Sequence, residues 1–188
     1  MKRNFVILQI AAALACGALT GTAAAQKKEA KPTPAEARQQ LGKDVQGTIA
    51  KYRKTDPSIE RFFKQSAGYV VFPAVGKMGF VVAGAHGDGE VFGDGKLAGT
   101  ASVTMATVGL QVGVQEYSEI VFFENAAVLE RFKGNKFEFA AGMSAVIAAA
   151  GAAKNVNYRD GVVVFTQPTC GAMAEMALGG QKFSFKAE

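Results

Sequence analysis

Glycine is distributed unevenly along this chain of 188 residues, and its distribution limits the folds that the chain can adopt. Residues 68–188 hold 18 of the 22 glycines, roughly twice the usual share of about 7%. Glycine weakens helix interiors and allows tight turns and close backbone approach, so this region is predicted to form strands and turns. With 49% hydrophobic and 20% charged residues, the chain is not expected to be a disordered tail, a collagen-like repeat or a polytopic membrane protein.

Short runs of β-branched and aromatic residues lie between these glycines, which is typical of strands. The runs are Tyr69–Phe72, Phe80–Ala85, Glu90–Phe92, Tyr117–Phe123, Val162–Thr166 and Lys182–Lys186. Two Asp-Gly pairs, Asp88-Gly89 and Asp94-Gly95, are predicted to form tight turns because such pairs accept positive φ.

Helix signals dominate the part of the chain before Gly68. The sequence Thr33-Pro34-Ala35-Glu36 is a capping box with proline at the first helical position, so a helix is predicted to begin there. Its apolar positions recur every three or four residues, at Ala37, Leu41, Val45, Ile49 and Tyr52. Asp56-Pro57 repeats the start signal for a second helix with Ile59, Phe62, Phe63 and Ser66 on one face.

One later helix is well signalled, from Asn125 as cap to Phe132, with Gly134 as its stop. The uncharged segment Phe139–Ala153 is ambiguous between a strand and a buried helix. Together these patterns predict an α+β fold with N-terminal helices packed on a curved, glycine-rich antiparallel sheet that is barrel-like.

The first 25 residues are typical of a secretory signal peptide. Lys2 and Arg3 precede an apolar stretch, and small residues end at an Ala-x-Ala cleavage site after Ala25. We therefore expect a signal peptide over 1–25, a linker over 26–33, one domain over 34–188, and a periplasmic protein peripheral to the membrane. The alternative is a lipoprotein anchored at Cys16.

Positive charge is concentrated after the predicted cleavage site. Residues 26–64 carry ten basic and five acidic side chains, whereas residues 65–188 carry nine and eleven. A basic arm of this kind is attracted to anionic surfaces, and export disfavours nucleic acid as the partner. The alternative is that these charges only solvate an exposed helical face. Phe62 and Phe63 either pack the second helix onto the domain or insert into a membrane.

Catalytic and metal-binding patterns are weak in this sequence. Gly142–Val146 lacks the second glycine of a nucleophile elbow, and His86 beside the predicted turn has no spacing that ties it to a serine. Asp88, Glu90 and Asp94 miss the spacing of a calcium loop. We expect no enzyme, no cofactor and no metal site, and an inert Cys170.

Several motifs in the second part of the chain resemble one known family. They are Gly68-Tyr69-Val70-Val71-Phe72-Pro73, Gly76-Lys77-Met78-Gly79-Phe80, Gln115-Glu116-Tyr117-Ser118-Glu119-Ile120, Phe137-Glu138-Phe139 and Gly179-Gly180-Gln181-Lys182-Phe183. In this order, across about residues 56–186, they resemble the SYLF domain, the lipid- and actin-binding domain of yeast actin-patch proteins, which has many secreted bacterial members.

The resemblance implies a phospholipid-binding module that uses an amphipathic N-terminal helix and basic residues. Carried over to this sequence, it places the lipid site on Arg61, Phe62, Phe63 and Lys64 of the second helix, and on Lys77 in the Gly-Lys-x-Gly-Phe motif. No attached module supports the actin or endocytic partners of the yeast relatives, so protein partners stay unknown. In a bacterial envelope we expect anionic phosphatidylglycerol or cardiolipin as the lipid. The alternative function is a periplasmic structural or interaction protein that binds another protein or an anionic polymer.

Overall fold

A computed structural model describes residues 32–78, 82–108, 114–139, 143–170 and 181–188. The predicted signal peptide, its cleavage site and Cys16 lie outside these residues. The elements are α1 (Pro34–Thr55), a 3-10 turn (Pro57–Ile59), α2 (Glu60–Gln65), β1 (Gly68–Met78), β2 (Val82–Gly93), β3 (Lys96–Val108), β4 (Val114–Phe123), α3 (Ala126–Lys133), β5 (Val146–Ile147), a second 3-10 turn (Ala152–Asn155), β6 (Val162–Cys170) and β7 (Gln181–Ala187).

The strands form one seven-stranded sheet in the order β5-β6-β4-β1-β2-β3-β7. Every neighbouring pair is antiparallel except β5 and β6, which run parallel. The α+β prediction is confirmed, but the barrel-like and purely antiparallel descriptions are wrong. The sheet is mixed because β5 and β6 run parallel, and it is open because, within the described ranges, the edge strands β5 and β7 do not pair with each other.

The sheet is nevertheless strongly curled. Gln181 on the edge strand β7 donates a hydrogen bond from Nε2 to Glu119 Oε2 on β4, 3.2 Å away, although three strands lie between them in the sheet. The face on which this contact lies is called the inner face. It carries a core of Val70, Phe72, Val75, Ala85, Val91, Ala101, Val103, Met105, Tyr117, Val121, Phe123, Val162 and Val164, packed against Val128, Leu129 and Phe132 of α3.

The opposite, outer face is covered by the N-terminal helices. Val45, Ile49 and Tyr52 of α1 are buried there, which confirms most of the predicted apolar stripe. The Tyr52 hydroxyl donates a hydrogen bond to the backbone oxygen of Ser118 at 2.8 Å, so it fixes α1 on β4. Leu41 is half-buried, and the first turns of α1 are exposed.

Local helix signals are confirmed closely. Thr33 caps α1, and its side chain and that of Glu36 form both bonds of the capping box. The Asp56 side chain accepts a hydrogen bond from the backbone N–H of Ser58 and starts the 3-10 turn that leads into α2. Asn125 caps α3, and Gly134 ends it.

One predicted turn is correct and the other is wrong. Asp94 and Gly95 have φ of 50° and 74° and connect β2 to β3. Asp88 and Gly89 instead lie inside β2, where Gly89 pairs with Ala101 of β3 in regular register. Glycine is required there because the backbone of β1 lies too close for a side chain. A Cβ on Gly89 would lie 2.3 Å from the backbone oxygen of Val71.

The ambiguous segment Phe139–Ala153 is neither one long strand nor a helix in its described part. It contains the two residues of β5 and the beginning of the second 3-10 turn. Residues 140–142 lie outside the described ranges.

Candidate functional site

The aromatic residues of the predicted lipid site face the core of the domain. Phe62 is 2% exposed, and its ring centre lies 5.5 Å from that of Phe122 and 5.4 Å from that of Phe165. Phe63 is half-buried, with its ring edge-on to Tyr69 at 5.0 Å and to Phe122 at 4.9 Å. Of the two sequence-based alternatives for these rings, the structure therefore shows packing on the outer face of the sheet.

Arg61 joins α2 to the second 3-10 turn. Its guanidinium donates hydrogen bonds to the backbone oxygens of Ala153, at 3.1 Å, and Val156. The guanidinium carbon also lies 4.4 Å from the centre of the Phe62 ring, which is a cation–π geometry. Two of the five N–H donors of Arg61 are therefore used inside the protein.

Asp56 stabilises the same contact with the second 3-10 turn. Its Oδ2 accepts a hydrogen bond from the backbone N–H of Ala153 at 2.7 Å, and its Oδ1 accepts one from Ser58. Burial opposes ionisation of this carboxyl, but the hydrogen bonds from Ser58 and Ala153 outweigh burial and lower its pKa. An ionised Asp56 therefore binds Ala153 of the second 3-10 turn, to which Arg61 also donates a hydrogen bond.

Positive charge on the solvent side is carried mainly by lysines. Lys64 is exposed on α2, and no carboxylate in the described ranges lies within ion-pair distance of it. Arg53 at the end of α1 is bound at 2.8 Å to Glu60 Oε2 and lies over the Phe63 ring. Arg53 thus belongs to a local ion pair, whereas Lys64 projects into solvent.

Three further lysines, Lys43, Lys51 and Lys54, lie outside the buried stripe of α1 and are all exposed. We call Lys43, Lys51, Lys54 and Lys64 the basic ridge. The sequence shows a basic arm over residues 26–64, but the predicted site includes only Arg61, Phe62, Phe63 and Lys64 of α2, with Lys77 of β1. The other three lysines could have been found from the sequence, because the 3.6-residue periodicity of α1 places them outside its apolar stripe.

Lys77 is not brought next to α2. It lies in β1, paired with Ala85 of β2 and Gln115 of β4, and its side chain is outside the described part of the structure. β1 begins at Gly68, close to the end of α2, and nine residues at about 3.3 Å each place Lys77 roughly 25–30 Å further along the strand. Lys77 and the α2 residues therefore do not form one compact site.

A groove of about 1000 Å³ lies between the first half of α1 and the outer face of β3 and β7. Its walls include Arg38, Leu41, Thr100, Ser102, Ser184 and Lys186. Arg38 forms an ion pair with Glu188 at 3.4 Å across one end. The groove is open to solvent and contains both signs of charge.

His86 lies inside β2 rather than beside a turn, and its imidazole is exposed 3.6 Å from the Asp88 carboxylate. In the described ranges, no cluster of three or more His, Cys, Asp or Glu side chains is arranged to hold a metal ion. Cys170 is the last residue of β6.

The fold and its surface define a small α+β module in which a curled sheet is covered by helices on both faces and a lysine-rich helix faces solvent. The family model described as Ysc84, Las17-binding protein actin regulator, matches residues 104–188. This match over residues 104–188 agrees with the SYLF-domain family that the sequence motifs resemble. The match begins within β3 and includes β4, α3, β5, β6 and β7, but neither α1 nor α2.

Among curated proteins, none matches the chain. The helices in the described ranges include none with the length and apolar character needed to span a membrane.

Proposed function

We propose that this protein is a non-enzymatic, envelope-located module that binds anionic phospholipid surfaces through the basic ridge. The observation that carries the proposal is the exposure of Lys43, Lys51 and Lys54 on α1, outside its buried stripe, together with Lys64 on α2. Each lysine close to an anionic membrane contributes about 1 kcal/mol, so four would strengthen binding by roughly a thousandfold.

The mode of binding is electrostatic docking without insertion of aromatic rings. Phe62 is in the core and Phe63 packs on Tyr69 and Phe122, so neither ring is available for the acyl region without unpacking α2. Attraction between exposed charges weakens as the screening length falls from about 10 Å at 0.1 M salt to about 3 Å at 1 M. Binding should therefore be strongly dependent on salt.

The similarity of residues 104–188 to the SYLF-domain family supports lipid as the ligand, while the family description names Las17 binding and actin regulation. We extend only the lipid association to this chain, because the proposed envelope location offers no actin as a partner. Since the matched residues do not include α1, the position of the site rests on charge and exposure.

Co-sedimentation with liposomes tests the proposal. The protein should pellet with vesicles of phosphatidylglycerol and phosphatidylcholine at 50 mM salt, and not with phosphatidylcholine alone. Replacing Lys51, Lys54 and Lys64 with Gln should abolish pelleting. The matched control replaces three exposed lysines elsewhere, Lys96, Lys136 and Lys182, and should still pellet. Equal pelleting of the two triple variants, both folded, would reject the basic ridge as the site.

The groove between α1 and the sheet favours a second candidate function, in which the protein binds another protein or an anionic polymer. Under that function, Lys186→Glu in the groove would weaken capture of the partner and leave liposome binding unchanged.

We further propose a periplasmic location after cleavage behind Ala25, with lipidation of Cys16 as the alternative. The intact mass of the protein purified from its host distinguishes a chain that begins at Gln26 from one that carries acyl groups on Cys16.

A further inference from the structure

Four polar side chains are buried together on the inner face of the sheet. They are Tyr117 (1% exposed), Glu119 (0%), Thr166 (0%) and Gln181 (3%). The same face is otherwise the larger apolar core of the domain. Groups of this kind are stable in such surroundings only when each of them has a partner.

Strand register places the four side chains side by side. Glu119 on β4 pairs directly with Thr166 on β6, and Tyr117 is two residues earlier on β4, so it projects from the same face. Gln181 reaches Glu119 from β7 across the curl of the sheet, through the 3.2 Å hydrogen bond to Oε2. The cluster therefore connects three strands.

Each side chain has one oxygen that has no hydrogen-bond partner among the described residues. These atoms are Tyr117 Oη, Glu119 Oε1, Thr166 Oγ1 and Gln181 Oε1. They do not bond to one another either, although Tyr117, Thr166 and Gln181 are all neighbours of Glu119. Buried polar atoms that lie near each other beyond direct hydrogen-bonding distance are typically bridged by a further atom.

The chemistry of the four atoms favours a cation as that bridge. All four are oxygens, and one belongs to a carboxylate that forms no ion pair in the described ranges. Carboxylate, amide and hydroxyl oxygens are the ligands that hard cations prefer. A single carboxylate balances one positive charge, whereas a divalent ion would leave an uncompensated charge in the core.

We propose that Tyr117, Glu119, Thr166 and Gln181 bind one monovalent hard cation, Na⁺ or K⁺, inside the curled sheet. The bound ion links the edge strand β7 to β4 and β6 and thereby stabilises the curl. This site is independent of the basic ridge, since it lies on the other face of the sheet.

Thermal unfolding of the wild-type protein in three chloride salts tests the site. NaCl, KCl and choline chloride are compared at equal ionic strength and pH 8, and choline is too large to enter the cluster. Burial and the Glu119 charge raise the pKa of Tyr117, and burial raises that of Tyr52, so both tyrosines stay neutral at this pH. The Tm should be higher in NaCl or KCl than in choline chloride. At ten times the Kd, the bound ion raises the folding equilibrium constant about tenfold.

Variants assign the effect to this cluster. Glu119→Gln and the shape-conserving Thr166→Val should both lose the difference in Tm between the salts, whatever their own Tm. Glu124→Gln removes an exposed carboxylate just beyond the same strand and should keep the difference.

Equal Tm in the three salts for the wild-type protein overturns the proposal and indicates that water and a proton on Glu119 fill the site. A stabilisation by CaCl₂ or MgCl₂ that NaCl and KCl do not produce also overturns the assignment of a monovalent ion. Loss of the salt effect in Glu124→Gln would place the ion elsewhere.

Discussion

At the scale of single residues, the two Asp-Gly pairs show how one sequence pattern serves different backbones. Gly95 adopts a φ of 74° in a hairpin turn, where a left-handed conformation is required. Gly89 lies in extended backbone inside β2, against the backbone of Val71 in the irregular part of the β1–β2 pairing. Both positions need glycine, one for conformation and one for space.

The two roles of glycine predict different losses in the free energy of unfolding when each glycine is replaced. Gly95→Ala should lower the free energy of unfolding by about 1–2 kcal/mol, the usual strain of a left-handed alanine. Gly89→Ala should cost more, because the added Cβ would meet the Val71 oxygen at 2.3 Å and strands must separate to relieve the contact. Urea unfolding at 25 °C measures both free energies. Gly47→Ala, at an open position in α1, serves as control and should stabilise the protein by about 0.5–1 kcal/mol. Equal costs at Gly89 and Gly95 would contradict this account.

At the scale of elements, α2 is a short helix fixed in place by specific side-chain contacts. It is six residues long, so its stability comes from the packing of Phe62 and from the bonds of Arg61 to Ala153 and Val156. The same helix carries Lys64 on its exposed side. Anchoring and surface charge are thus divided between neighbouring residues of one element.

A conservative change at Arg61 separates these roles. Arg61→Lys keeps the positive charge but loses the planar set of donors that reaches two backbone oxygens, so unfolding should become easier by about 1–2 kcal/mol. Binding to anionic liposomes should change little. Lys64→Gln should give the opposite result, with a free energy of unfolding within about 0.5 kcal/mol of the wild type and weaker lipid binding. Loss of lipid binding in folded Arg61→Lys, with no change in stability, would show that Arg61 contacts the membrane.

At the scale of the whole molecule, the buried Glu119 links stability to pH. Burial raises the pKa of this carboxyl to about 7, and the hydrogen bond from Gln181 partly offsets the effect of burial. In the unfolded chain the pKa of a glutamate is about 4.3. Between these two values the folded protein holds more protons than the unfolded chain, so stability falls as pH rises.

In choline buffers without Na⁺ or K⁺, the free energy of unfolding should therefore decrease between pH 5 and pH 8, by up to about 3 kcal/mol. Glu119→Gln has no proton to lose and should show a much flatter profile over this range. Urea titrations at several pH values provide the measurement, with Glu124→Gln as the control that retains the wild-type slope. A wild-type stability that rises from pH 5 to pH 8 would indicate that Glu119 is ionised in the folded protein.

The sequence by itself determined the features whose causes are local. The capping box at Thr33, the stop at Gly134 and the alternation of the strands depend on residues a few positions apart, and the structure confirms them. Only the tertiary structure decided what Arg61 and Glu119 do, because their partners lie 92 and 62 residues away. An acidic residue in the otherwise apolar row of Tyr117, Val121 and Phe123 was a visible signal. Its meaning depended on the curl of the sheet, which brings β7 to β4 through contacts that no local pattern encodes.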